Sequence, residues 1–474
     1  MLFPTTSFAL FFAAVFTANW LLSRFPTRWR LFMIAASYVF YAWWDWRLVW
    51  LLAASTIISQ SAALAVARSG GPRGRKLAMT AGVAGNLGLL CWFKYYGFFA
   101  VSLDNALHGV GLGSAMPLVQ MTLPVGISFF TFMGISYVVD VYRGETKPAP
   151  WLDFAVHQSF FPHLIAGPIV RANELIPQIQ RRRDPRSVDV ARAAYLIWGG
   201  LFKKVVLSSF LAAAIVDPVF GAPSAHSSLE ILVAVYAYAV QIYADFSGYT
   251  DIAIGVAMLL GFRLPQNFDA PYTARSLQEF WRRWHMTLSR WLRDYLYIPL
   301  GGSKGSTAMT YRNIMITMAL GGLWHGAAWT FVAWGLLHGI GLVVGRRRQT
   351  RAEARVAAGA TLPPARPALQ RLGTFHFVCL GWLLFRSDSL QTAWTMLTRL
   401  FTAWGPAPAV TPLVLAAIAL GIGVQYVPKD LPERVQVAFS RFGTMAQGAV
   451  LGALLFVITA MGPQGVAPFI YFRF

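Results

Sequence analysis

The 474-residue chain is 56% hydrophobic and only 12% charged, about half the charged share of an ordinary soluble domain. It has too little polar surface to face water all round, which excludes a soluble globular protein. The charge is lopsided, 40 Lys and Arg against 19 Asp and Glu for a formal +21, but the cations gather in short breaks between apolar runs. That is the positive-inside pattern of a membrane protein and needs no nucleic-acid partner.

A spanning helix takes roughly 20 apolar residues, and about ten or eleven such stretches can be placed. The basic breaks at 24–30, 68–76, 171–192, 346–371 and 429–441 mark the cytoplasmic side. Residues 1–20 have no basic n-region and read as a retained span, not a signal peptide. Spans then run inward over 2–21, outward over 31–46 and inward over 47–67, with Trp43, Trp44 and Trp46 as an outer aromatic anchor. Residues 77–93 go out, 94–118 form an outer segment, and 119–140 return. The stretch 153–170 is broken by Pro162, Gly167 and Pro168. It reads as a re-entrant or buried piece, tolerable only where protein covers the backbone.

Residues 192–215 go out and 229–261 come back. Residues 262–312 are aromatic, basic and too polar to span. Residues 313–345 are apolar again, interrupted by Gly321, Gly322 and His325, and the Arg/Ala/Pro-rich 346–371 reads as a flexible loop. Residues 373–387 lead outward, 388–403 are amphipathic, 411–427 return and 445–462 leave, which puts both termini outside. The expected organisation is a single membrane domain. It comprises N-terminal helices (1–118), a catalytic core (119–345), a cytoplasmic loop (346–371) and C-terminal helices (372–474). Neither a transporter-type internal repeat nor a separable soluble domain is visible.

Polar groups inside apolar runs are the candidates for chemistry, because the bilayer makes them costly. His325 lies between small residues and two indoles, in Leu323-Trp324-His325-Gly326-Ala327-Ala328-Trp329. Imidazole suits proton abstraction near neutral pH, although a buried histidine bonded to a neighbouring helix fits the same pattern. In the second cluster, Trp281, Trp284, Leu288, Trp291 and Tyr295 share one stripe at about 100° per residue. Arg282, Arg283, Arg290 and Arg293 fall on the other side. This predicts an interfacial helix over 275–296, with His285 at the stripe's edge facing an inner cavity.

Third, Asp245 and Asp251 sit within the apolar 229–261 run. Arg or His donors from the second cluster would serve them, whether to orient a histidine or to tie helices together. Asp140 and Arg143 have the same two readings. The two cysteines, Cys91 and Cys379, lie in apolar runs with no metal-spaced ligands, so no metal site is expected. There is no phosphate loop, no Gly-x-Ser-x-Gly elbow and no HExxH helix.

Taken together, the motifs resemble the membrane-bound O-acyltransferases. The likeness is greatest to the bacterial branch that serves alginate O-acetylation and teichoic-acid D-alanyl transfer. The matching stretches are Leu123-Pro124-Val125-Gly126, Phe161-Pro162-His163, Ala166-Gly167-Pro168-Ile169, and Asp245-Phe246-Ser247-Gly248-Tyr249-Thr250-Asp251. They continue with Asn267-Phe268, Phe280-Trp281-Arg282-Arg283-Trp284-His285, Tyr297-Ile298-Pro299-Leu300-Gly301-Gly302, Leu323-Trp324-His325-Gly326, Gly381-Trp382 and Pro468-Phe469-Ile470-Tyr471-Phe472.

The resemblance implies an all-α polytopic fold, a ring of helices with re-entrant and interfacial helices around a central funnel. His325 would be catalytic and His285 the second polar position. Trp281, Trp284, Arg282, Arg283, Asp245, Tyr249, Asp251, Asn267 and Trp324 would line the funnel. It implies no bound cofactor and a cytoplasmic acyl thioester, such as acetyl-coenzyme A, as donor. A polysaccharide hydroxyl would be the acceptor and a periplasmic acetyltransferase the partner, at a bacterial inner membrane. D-alanyl transfer to teichoic acid and a non-enzymatic transporter or flippase are the alternatives.

Overall fold

The computed structural model describes residues 1–112, 124–361, 364–428, 430–443, 445–450 and 452–453, and every regular element among them is a helix. Among the described residues, six helices are long and apolar enough to cross a bilayer: Thr6–Arg24, Trp46–Arg68, Pro72–Gly109, Val190–Gly221, Ser228–Leu259 and Pro367–Arg386. The chain is thus an all-α multi-pass membrane protein. The other long helices are either short of a full span or diluted by polar residues. Pro26–Ala42 and Ile127–Arg143 have 17 residues each, and Trp329–Ala357 carries a polar end. Leu123, the 445–462 span and the terminal Pro468–Phe472 motif fall wholly or partly outside the described residues.

The described residues pack as two compact units. The first comprises Met1–Ala193 with Ala253–Pro265. Its helices start where their sequences dictate: Thr5 caps Phe8 N–H, and prolines occupy the first turns of Pro26–Ala42 and Pro72–Leu90. In the apolar interior the polar groups pair with one another. Asn86 bonds Ser55 and Ser59, and Gln158 donates to Phe130 O at 2.8 Å. The stretch 153–170 is a buried piece, as expected: short helices Trp151–Ser159 and Phe161–Leu164 with fully buried Phe160, Phe161 and His163.

Residues 94–109, the described start of the 94–118 segment, are helical. The helix from Pro72 continues through a π-helical turn at Cys91–Tyr95 into Tyr96–Gly109. Within that turn Lys94 donates to Ser128 Oγ at 3.1 Å.

The second unit comprises Ala194–Ile252 with Gln266–Phe474. Two π-helical turns, Phe202–Ser208 and Ala212–Val216, interrupt its first helix. Gly200 and Gly248 let that helix approach Ser228–Leu259 closely; a Cβ on either would come within 2.7 Å of the other's carbonyl oxygen. Thr307–His325 and Trp329–Ala357 form a hairpin in which a Cβ on Gly322 or Gly335 would overlap the facing backbone.

Two expectations are corrected here. The 275–296 helix is broken into Leu277–Arg283 and Met286–Leu292, followed by a π-helical turn at Arg293–Tyr297. The 346–371 loop is helical as far as Ala357, with Gly359 in the left-handed region after its end. Arg, Ala, Glu and Gln are strong helix formers, so the same composition continues a helix already begun. Residues 388–403, read as amphipathic, form the helix Leu390–Thr402.

Candidate functional site

His325 closes the Thr307–His325 helix, buried between three aromatic rings. Trp324 and Trp334 lie 5.0 Å away and Phe385 5.3 Å, centroid to centroid. Gly326 follows in an extended conformation, and a side chain there would overlap Phe331. That is why the run must stop at this point. The ring forms part of the wall of a cavity of about 150 Å³ lined by Leu288, Leu292, Ile314, Met318, Trp281 and Trp334 among others, with Arg293 and Tyr297 also on its wall. The lining is predominantly apolar, so the site suits a small apolar group. A base on its wall meets that group in a medium where electrostatic interactions are strong.

His285 sits across Trp324, with its ring 6.0 Å from that indole. It adopts a left-handed conformation, φ 42°, which costs a bulky residue about 1–3 kcal/mol and persists only where the surroundings over-determine it. The surroundings here are the 267–270 segment. Met286 N–H donates to Asn267 O at 3.0 Å and Asp269 N–H to Arg283 O at 3.0 Å. The clip breaks the helix and turns the imidazole inward.

Asn267 also sets the tautomer. Its Oδ1 accepts from Thr287 N–H at 3.2 Å and Thr287 Oγ1 at 3.0 Å, and it faces His285 Nδ1 at 3.2 Å. An oxygen already accepting two protons can only accept again. Nδ1 therefore carries the hydrogen and Nε2 the lone pair.

The remaining predicted residues separate into different roles. Trp281 and His325 are on the cavity wall, and Trp324 links the two histidines. Trp284 belongs to an aromatic core, 4.9 Å from Trp382 and stacked on Phe280 at 5.6 Å. Arg282 is exposed, and Arg283 is a staple, bonded to Glu279 at 2.8 Å and to Asp269 O at 3.2 Å. Asp245 pairs with Lys204 and accepts from Ser208 Oγ at 3.1 Å, and Asp251 pairs with Lys203. Those lysines lie in the π-helical turn at Phe202–Ser208, not in the Arg/His cluster that the sequence favoured. Tyr249 is buried. None of His285, Trp324, Arg282, Arg283, Trp284, Asp245, Tyr249, Asp251 and Asn267 lines this cavity, so His285 does not face it as its place on the aromatic stripe suggested.

Sequence reasoning missed Trp334, which is on the cavity wall; His338, read from the sequence as a structural histidine, shares its helix face four residues on. His338 is fully buried, its two ring nitrogens lack hydrogen-bond partners, and its ring lies 4.8 Å from Trp334 and 5.3 Å from Trp281. Gly381 admits it: a Cβ there would come within 2.7 Å of His338 Nε2. The i, i+4 spacing after the Trp-His-Gly element was the available signal.

Comparison with known proteins identifies the family. The model of the membrane-bound O-acyltransferase family matches residues 139–380, which contain both histidines. A probable alginate O-acetylase of Pseudomonas aeruginosa is 41% identical, covering 85% of this chain and 75% of its own length. One from Azotobacter vinelandii is 37% identical over the full length of both. A peptidoglycan O-acetyltransferase of Helicobacter pylori is 36% identical, covering 77% of this chain and 72% of its own.

Proposed function

This chain belongs to the membrane-bound O-acyltransferase family, and we propose that it transfers an acetyl group from a cytoplasmic thioester towards the hydroxyls of a cell-envelope polysaccharide. The relatives named for alginate and peptidoglycan O-acetylation support the acyl group and the acceptor class. The observation that carries the chemistry is the placement of His325, buried at the end of its helix on the wall of an apolar cavity.

In this reading the acyl end of a thioester such as acetyl-coenzyme A occupies the cavity. His325 takes the proton of an incoming hydroxyl as its oxygen attacks the thioester carbonyl carbon. The C–S bond then breaks, and the proton passes from His325 to the departing sulfur. His285, its Nδ1–H held by Asn267, is a positioning residue that packs on Trp324, the indole beside His325. The acceptor arrives from the extracytoplasmic side of the bacterial inner membrane. A periplasmic acetyltransferase then places the acetyl group on the polymer.

The test is the acetyl content of surface polysaccharide in cells carrying wild type, His325→Ala or His285→Ala, at matched membrane levels. Loss of a base contributes about 10²–10⁴-fold, so His325→Ala is expected to reduce acetylation to background and His285→Ala to reduce it by a smaller factor. Ester-linked D-alanine in place of acetate would assign the reaction to teichoic-acid D-alanylation. Unchanged acetylation in His325→Ala would remove it as the base.

A further inference from the structure

The cavity beside His325 is elongated along the helical hairpin. Its lining runs from Ile314 to His325 on the first helix and from Leu342 to Trp334 on the second. At 1.5 Å per residue the first run is about 16 Å long. The two ends differ. Near Ile314 the wall is polar: exposed Arg293 is part of it, and Tyr297 shares a hydrogen bond with exposed Ser303 at 2.8 Å. Asn313 ties that end down by donating to Gly302 O at 3.0 Å. At the other end stand His325, Trp334 and Trp281.

Trp334 is fully buried and braced on every listed side by rings. His325 lies at 5.0 Å, His338 at 4.8 Å, Phe385 at 5.3 Å, Trp281 at 5.7 Å and a stacked Trp382 at 6.2 Å. Its helix has no room to recede, since a Cβ on Gly335 would come within 2.3 Å of Met318 O. Hydrogen bonding does not account for an indole at either place, because the N–H groups of Trp281 and Trp334 make none among the described residues. What the indoles supply is rigid bulk at the end of the channel.

We propose that Trp334, backed by Trp281, limits the length of the acyl group, admitting acetyl and turning away longer chains. The placement of the thioester carbonyl beside His325, with the donor entering at the Tyr297 end, rests on the function proposed above. A carbonyl carbon in contact with the imidazole stands about 3.5–4.0 Å from it. With the indole only 5.0 Å from the same ring, one further carbon already meets it. A wall that cannot yield discriminates by about 10–200-fold per methylene.

The test measures the melting temperature of the full chain in detergent micelles with the acetyl, butyryl or hexanoyl thioester of N-acetylcysteamine, converted to dissociation constants. These probes carry the thioester end common to coenzyme A and pantetheine-bearing proteins. Wild type is expected to bind the acetyl probe at least tenfold more tightly than the butyryl. Trp334→Phe is expected to reduce that preference at least tenfold and Trp281→Phe severalfold. Each preference is read within one variant, so differences in folded fraction cancel. Gly321→Ala narrows the channel between the mouth and His325, where its Cβ would lie 3.2 Å from Leu292 Cδ1. It is expected to weaken all three probes alike. Unchanged preference in both tryptophan variants overturns the proposal, as does a wild type that no probe stabilises. A preference moved by Gly321→Ala and not by Trp334→Phe also overturns it, because the acyl tail would then point towards the mouth. His325→Ala is expected to keep the wild-type preference, so the length limit and the acyl-transfer reading fail on different results.

Discussion

His325 and His338 show how differently two buried histidines of one helical hairpin are used. Each packs against Trp334, but only His325 belongs to the cavity wall. His338 makes no hydrogen bond that substitution would break. His338→Phe is therefore expected to melt within about 1.5 kcal/mol of wild type, the usual limit for a near-isosteric swap in a packed core, and to retain acyl transfer. Loss of transfer at unchanged thermal stability would bring its imidazole into the chemistry. His325 was legible from its Gly and Trp neighbours. The geometry of His285 was not, because a left-handed conformation imposed by Asn267 and Asp269 is a contact between segments some 16 residues apart.

At the scale of elements, charge placement separates reading from observation. The carboxylates of Asp245 and Asp251 were visible in an apolar run, and their need for cations followed from the cost of burial. Which cations would answer depended on the packing of Gly200 against Gly248, which brings Lys203 and Lys204 alongside. Breaking such a buried pair from one side costs about 3–5 kcal/mol, while replacing both partners with apolar residues is often close to neutral. Lys204→Met is thus expected to destabilise the unit strongly in a detergent-resistance or thermal-melting assay. The double variant Lys204→Met/Asp245→Leu is expected to recover most of that loss. Failure of the double variant to recover would assign the pair a role beyond stability. The broken 277–292 segment belongs to this scale too: its aromatic stripe was readable, but the break lies in hydrogen bonds to a distant loop.

For the molecule as a whole, the cation-rich breaks predict which end of each span is cytoplasmic. With Cys91→Ser removing the exposed native thiol, Asp45→Cys is expected to react with a membrane-impermeant maleimide in intact cells. Arg355→Cys is expected to react only after permeabilisation. The reverse pattern would invert the topology. Membrane residence, helical class and family could be reached from sequence because they depend on summed local properties: hydropathy over about 20 residues, charge between spans, and motifs in a fixed order. The cavity beside His325, the tautomer of His285, the lysine partners of Asp245 and Asp251, and the helical state of 346–357 were decided only by tertiary structure. Each depends on which distant backbone or side chain completes a hydrogen bond, ion pair or close contact, and such pairings have no period along the chain.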